Sequence, residues 1–344
     1  MCIRDRTKTN YDNEASAACA NFTQDHHVAV VFSVETFYYS ENFSACLANA
    51  GVPELVSLVG GTDAKTIAKY PLLASPTAPT VERRFTALLS GLTGNGYLSH
   101  KNQVGVIVEG CPYDQAVFTS TIEPGLRARG ISVNRRDVGC VHGFGDAGQF
   151  IASVQAQVLP FESAGVDRIM FVSGFEQIAA EFFEKQAQSQ GYKPYYALTS
   201  DSEAGDNAMG FSDEAMSRVQ GVGWLPIFDA AELLPGTAAT QRCRQLWRGY
   251  SPSAERINRA TNETTCEEFF LLEAVLQRDG GHSEASTFMP TLLGLGTSYD
   301  SPITLGGSTS YAPSHKDGPA LFATFGYKPS CTCFAYTGPP RPLA

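Results

Sequence analysis

Side chains able to do covalent, acid–base or metal chemistry are sparse in this 344-residue sequence: six histidines, nine cysteines and a few loop carboxylates. His26, His27, His100, His142, His282 and His315 include no pair at metal-ligand spacing, and His26-His27 read as the surface of a turn. H-E-x-x-H, the P-loop and G-x-S-x-G do not occur, so zinc hydrolysis, nucleotide phosphate chemistry and a nucleophile elbow are not signalled. One spacing does match a chemical motif. Gly143-Phe144-Gly145-Asp146-Ala147-Gly148 is G-x-G-x-x-G, placed after a strand and opening a helix. In one reading it grips a dinucleotide, with Glu162 or Asp167 as the ribose acid, which would make the chain an NAD(P)-dependent oxidoreductase. In the other it is a glycine loop with Asp146 capping the helix. The second is preferred, because the following acid falls in a loop ahead of a strand. No catalytic residue, metal or cofactor is expected.

The cysteines carry a different chemistry. Cys2 lies in Met1-Cys2-Ile3-Arg4-Asp5-Arg6, a start that lacks the apolar stretch of a secretory signal and reads as foreign sequence joined to a truncated frame. Apart from Cys2 an even number remains: Cys19, Cys46, Cys111, Cys140, Cys243, Cys266, Cys331 and Cys333. In an exported protein these could form four disulfides. Sequence neighbourhood suggests Cys19 with Cys46, Cys111 with Cys140, Cys243 with Cys266 and, in a very tight ring, Cys331 with Cys333. The alternative is a set of buried thiols in a cytosolic protein with a genuine cytosolic start.

The elements that must position these groups alternate in type. Ala15, Ala18, Cys19 and Phe22 share one helical face, as do Phe43, Cys46, Leu47 and Ala50, with Gly51 as a terminating residue. Val81, Phe85, Leu88 and Leu89 mark another helix. Short β-rich runs at residues 28–32, 52–59, 104–108, 131–138, 168–172, 195–198 and 219–225 predict strands, the first of them of the buried type. Helices are predicted between them, over residues 117–126, 147–158 and 176–188. Strand–helix–strand alternation gives parallel sheets covered on both faces. Beyond Pro226 two helical stretches, near residues 240–250 and 265–278, follow each other without a strand. Residues 294–311 read as loops and short strands, 320–325 as a late strand, and Pro339-Pro340-Arg341-Pro342 as a non-helical tail.

Composition is globular, with 43% hydrophobic and 17% charged residues. A net charge of −10 repels phosphate backbones, so no nucleic-acid partner is expected. The length suits two domains.

The order of several motifs resembles the type I periplasmic binding proteins, the branched-chain amino acid class that serves ABC importers. Lys101 through Val108 resembles the strand entering the second lobe of that family. Cys111-Pro112-Tyr113-Asp114 resembles its tyrosine-bearing turn, and Asp146 with Gln149 and Val154 the start of its next helix. Ala164-Gly165-Val166-Asp167-Arg168-Ile169-Met170 resembles its "aGvD" strand entry, and Gln186-Ala187 through Gly191-Tyr192 its helix end. In the first lobe Gln24 through Val31 and Ala50-Gly51-Val52-Pro53 fall in the expected places. The likeness runs from about residue 11 to 325. It departs at residues 33–37, where Ser33-Val34-Glu35-Thr36-Phe37 replaces a glycine- and serine-rich loop, and ahead of residue 11, where the family has a further strand and helix.

The resemblance implies two doubly wound α/β lobes: residues 7–100 with about 228–280 as an incomplete first lobe, residues 101–227 with about 281–330 as the second, and 331–344 as a C-terminal tail. Crossings are expected near residues 98–103, 225–230 and after 280, forming a hinge that opens and closes a cleft. Ligands of open parallel sheets sit beyond the carboxyl ends of strands. The loops there offer Ser33, Thr36, Ser57, Gly61, Thr62, Tyr113, Phe175 and Asp201 as ligand contacts. By resemblance, residues 57–62 would hold a carboxylate, Tyr113 and Phe175 would close over the ligand, and Asp201 would hold an ammonium. Phe37, Tyr38 and Tyr39 could line the cleft or pack under a helix. The implied function is extracytoplasmic capture of a small polar solute, an amino acid first, for a membrane permease. A ligand-sensing receptor of the same fold is the alternative.

Overall fold

The computed structural model describes residues 11–34, 41–57, 62–207, 212–230, 236–250, 259–281 and 284–344. Val31–Val34 (β1), Glu54–Ser57 (β2) and Leu73–Ala74 (β3) pair in parallel, in that order. Successive strand residues point to opposite faces. Val31 therefore joins Cys19, Phe43 and Leu47 of helices Tyr11–Ala20 and Glu41–Asn49. Leu55 and Ala74 face helices Ala238–Tyr250, Arg259–Arg278 and Ala285–Leu295. Disulfides Cys19–Cys46 and Cys243–Cys266 tie helix to helix within these layers.

The larger sheet contains Gln103–Glu109 (β4), Ser132–Val138 (β5), Arg168–Val172 (β6), Tyr195–Thr199 (β7), Val219–Gly223 (β8), Leu321–Lys328 (β9), Cys333–Tyr336 (β10) and Arg341–Pro342 (β11). Its order is β10-β9-β8-β7-β6-β4-β5, parallel from β5 to β8 and antiparallel at β9 and β10, with β11 paired to β9. Val104, Val106 and Val108 alternate onto one face, against Phe85, Leu88 and Leu92 of helix Val81–Gly94. Ile107, Ile169 and Phe171 take the other face, against Phe150, Phe161 and Phe183. These are the two-sided α/β layers the alternation predicts.

Three connecting strands of chain run between the sheets and are stitched together. Ser75 N donates to Lys316 O (3.0 Å) and Gly318 N to Ser75 O (2.8 Å). Trp224 Nε1 donates to Thr77 O (3.1 Å), and Leu305 N to Trp224 O (2.8 Å).

The structure departs from the sequence expectations in four places. Helix Val81–Gly94 packs on the large sheet, not the small one, so the first crossing is at residues 75–80 rather than 98–103. Helix Ala285–Leu295 packs on the small sheet, because Phe288, Met289 and Leu292 complete the core around Leu55. The last residues are no tail: β10 and β11 extend the large sheet, and Leu343 is buried. The helix predicted over residues 147–158 is two, Ala147–Gln155 and Val158–Ser163, since Pro160 has no N–H to continue the first.

Candidate functional site

In the large sheet the chain leaves β4 toward β5 on one side, then returns to β6 on the other. Ligands of such sheets sit at this reversal, outside the carboxyl ends of the strands. Here those ends carry Glu109, the turn Cys111–Pro112–Tyr113–Asp114, Ser173 and Glu176, with Asp201 following β7. The Cys111–Cys140 disulfide fastens the loop after β4 to the loop after β5. Gly110 is required there: a Cβ would stand 2.9 Å from Val138 O.

A cleft of about 600 Å³ opens beside this turn. Pro112, Tyr113, Ala116, Cys140 and His142 form its large-sheet wall, and Thr62, Asp63, Lys65, Thr66 and Lys69 its small-sheet wall. Helix Ala64–Lys69 starts at the wall, with Asp63 capping Thr66 N at 2.5 Å and Glu82 accepting from Ala64 N at 3.0 Å. The Thr62 hydroxyl has no hydrogen-bond partner among the described residues.

Behind Tyr113 lies a buried polar cluster. Arg84 projects from the apolar face of its helix and forms an ion pair with Asp201; both side chains are almost wholly buried. Glu109 accepts from Ser173 Oγ (2.5 Å) and Val141 N (2.9 Å). Glu176 accepts from Thr199 N (2.8 Å) and Thr199 Oγ1 (2.5 Å). Burial pushes both carboxyls above their usual range, against the pull of these donors and, at Glu176, of Arg84. Asp114 is raised further, by burial and then by Glu109, and neither of its oxygens has a well-formed hydrogen bond. Burial and the charge on Asp114 also keep the Tyr113 phenol well above its usual range.

The sequence candidates separate into three groups. Thr62 and Tyr113 are brought to facing walls of one cleft, and Asp201 lies behind Tyr113 on Arg84. Ser33, Ser57 and Phe175 sit inside the lobes. Ser33 bonds the buried Glu54, Ser57 faces Glu268, and Phe175 packs 5.7 Å from Phe150 in the core. Thr36 and Gly61, with Phe37, Tyr38 and Tyr39, lie outside the described residues. Cys331 and Cys333 form the fourth disulfide. The Gly143–Gly148 stretch forms no close-packed cradle at Gly145 or Gly148, where a Cβ would meet nothing within 4 Å. Asp146 does not cap the following helix; its carboxylate accepts from His142 N at 2.8 Å. Sulfurs Cys111 and Cys140 lie near Glu109 in a metal-like grouping, but they are bonded to each other.

Arg84, Asp114, Glu109 and Glu176 were not singled out from the sequence. A signal for Arg84 existed: it occupies the i+3 position of the stripe Val81, Arg84, Phe85, Leu88, a charge where a core residue belongs.

No protein-family model matches the chain, and no curated protein matches its sequence. Solved structures do match. A substrate-binding protein of an ABC transporter from Aeropyrum pernix superposes with TM-score 0.72 over 99% of this chain and 83% of its own, at 13% identity. A substrate-binding protein from Desulfitobacterium hafniense, in complex with Leu, gives TM-score 0.64 over 94% and 84% at 13% identity. A solute-binding protein from Rhodopseudomonas palustris BisB5, in complex with 3,4-dihydroxybenzoic acid, gives 0.67 over 97% and 84% at 11% identity. The chain thus has the fold of the type I periplasmic binding proteins, as its motif order implied.

Proposed function

We propose that this protein captures a small polar solute outside the cytoplasm, in the cleft between its two sheets, and passes it to a membrane permease. The observation that carries this is the cleft itself: about 600 Å³, with Thr62 on one wall and Tyr113 on the other, at the reversal point of the large sheet. That volume lies within the range of small-molecule sites. A ligand touching both walls favours the closed arrangement by its differential contacts, which is what hinge closure requires. Four disulfides favour an oxidising compartment. Among the described residues no helix is long and apolar enough to cross a membrane. The matching structures are substrate-binding proteins rather than enzymes, which supports a binding role. A thermal-shift screen of amino acids, carboxylic acids, amides and sugars tests the reading. A true ligand at 100 times its Kd adds about 2.7 kcal/mol to stability. NAD raising the melting temperature while every solute fails would reverse the assignment.

A further inference from the structure

One of the four disulfides does little for the fold. Cys331 and Cys333 are 2 apart in sequence, against separations of 27, 29 and 23 for the other pairs. A cross-link stabilises mainly by restricting the unfolded chain, so the smallest ring contributes least. Strand pairing already holds this hairpin: β10 runs beside β9 from Cys333 opposite Lys328 to Tyr336 opposite Phe325. The same bond is the one open to attack. Cys331 is exposed, in the turn that leads to the edge strand of the large sheet, whereas every other disulfide cysteine is buried or half-buried. Thr332, between the two sulfurs, has φ +52°, in the left-handed region. It is the only β-branched residue there among the described residues. Such a conformation is costly for a branched side chain and persists only while its surroundings impose it. Opening the ring removes one of those constraints, which tilts the pair toward the dithiol. Exposed and strained disulfides are the ones that exchange.

We infer that Cys331–Cys333 is a thiol–disulfide exchange site for small external thiols, with Thr332 favouring its open form. An external thiolate attacks Cys331 Sγ, the accessible sulfur. A new S–S bond forms to that atom, the old one breaks, and the electron pair goes to Cys333 Sγ. Lys328 stands opposite Cys333 in the ladder, a cation beside the strand position where that thiolate forms. A second external thiolate then displaces Cys331. Two thiols leave as one disulfide, and the protein keeps two electrons and two protons. The inference is independent of the solute-binding role. Its test uses the full chain with Cys2 alkylated first. The protein is equilibrated with reduced and oxidised glutathione (GSH and GSSG) at graded ratios, trapped by alkylation and mapped by peptide mass spectrometry. Cys331–Cys333 is expected to be half-reduced at a [GSH]²/[GSSG] about ten times lower than any other pair requires. Far-UV circular dichroism should not change at that point, and the trapped mixed disulfide should sit on Cys331. Thr332→Asn accepts the left-handed region more easily and should raise the half-reduction ratio about threefold. All four disulfides opening together, glutathione carried on Cys333 instead, or an unchanged ratio in Thr332→Asn overturns the inference.

Discussion

At the scale of single residues the molecule carries many buried acids with few cations to match. Glu267 is the clearest case outside the cleft: it is fully buried, bonded to Ser301 Oγ at 2.5 Å, and burial lifts its carboxyl to about 8. Burial also lifts Glu54 and Asp229 to about 7. An acid with a raised folded value holds its proton in the native state after the unfolded chain has released its own. Between about pH 4.5 and 8 the native state therefore binds more protons, and stability falls as pH rises. The slope is ~1.4 kcal/mol for each pH unit and each such group. Glu267→Gln, neutral at every pH, should gain about 4 kcal/mol over the parent at pH 7.5 and almost nothing at pH 4.5. Urea unfolding at the two pH values measures this. An equal effect at both would mean that Glu267 is ionised in the fold.

At the scale of elements, ends and crossings matter more than strand interiors. Helix Ala64–Lys69 on the cleft wall is held at its C-terminus from the opposite end of the chain. Lys316 Nζ donates to the carbonyl oxygens of Ile67 (2.9 Å), Tyr70 (3.1 Å) and Pro71 (3.1 Å). Lys316→Met keeps the volume and removes all three bonds, leaving carbonyls without donors. The expected cost is about 2–3 kcal/mol, read as a lower unfolding midpoint; an unchanged midpoint would show that water replaces the ammonium freely. This contact also shows what the sequence could not display. Strands such as β4 and β6 were legible because apolar runs such as Val104–Val108 need no partner to be recognised. The strand at β10 and the placement of helix Val81–Gly94 were not, because both depend on pairings far along the chain. Of the site, Tyr113 and Thr62 were legible from motif order and loop position. Arg84 was hidden in plain periodicity, since apolar spacing draws attention to Phe85 and Leu88 around it. Ser33 and Ser57 show a related ambiguity: a hydroxyl at a strand end suits a ligand or a buried glutamate equally, and here the two stand beside Glu54 and Glu268.

At the scale of the whole molecule, two α/β layers meet across a cleft and are joined by three stitched crossings, with Trp224 bridging two of them. Under the proposed function such a joint would rotate about the crossings while each core stays packed, and a solute held by both walls would bias it toward closure. The measurement closest to this claim is calorimetric titration of the best solute from the screen into the native chain and into Ala116→Trp. Ala116 is exposed on the cleft wall, so the indole fills the space without disturbing a core. One site per chain in the native protein, lost in Ala116→Trp at unchanged melting temperature, is the predicted result. Undiminished binding to the filled variant would place the solute elsewhere and contradict the account.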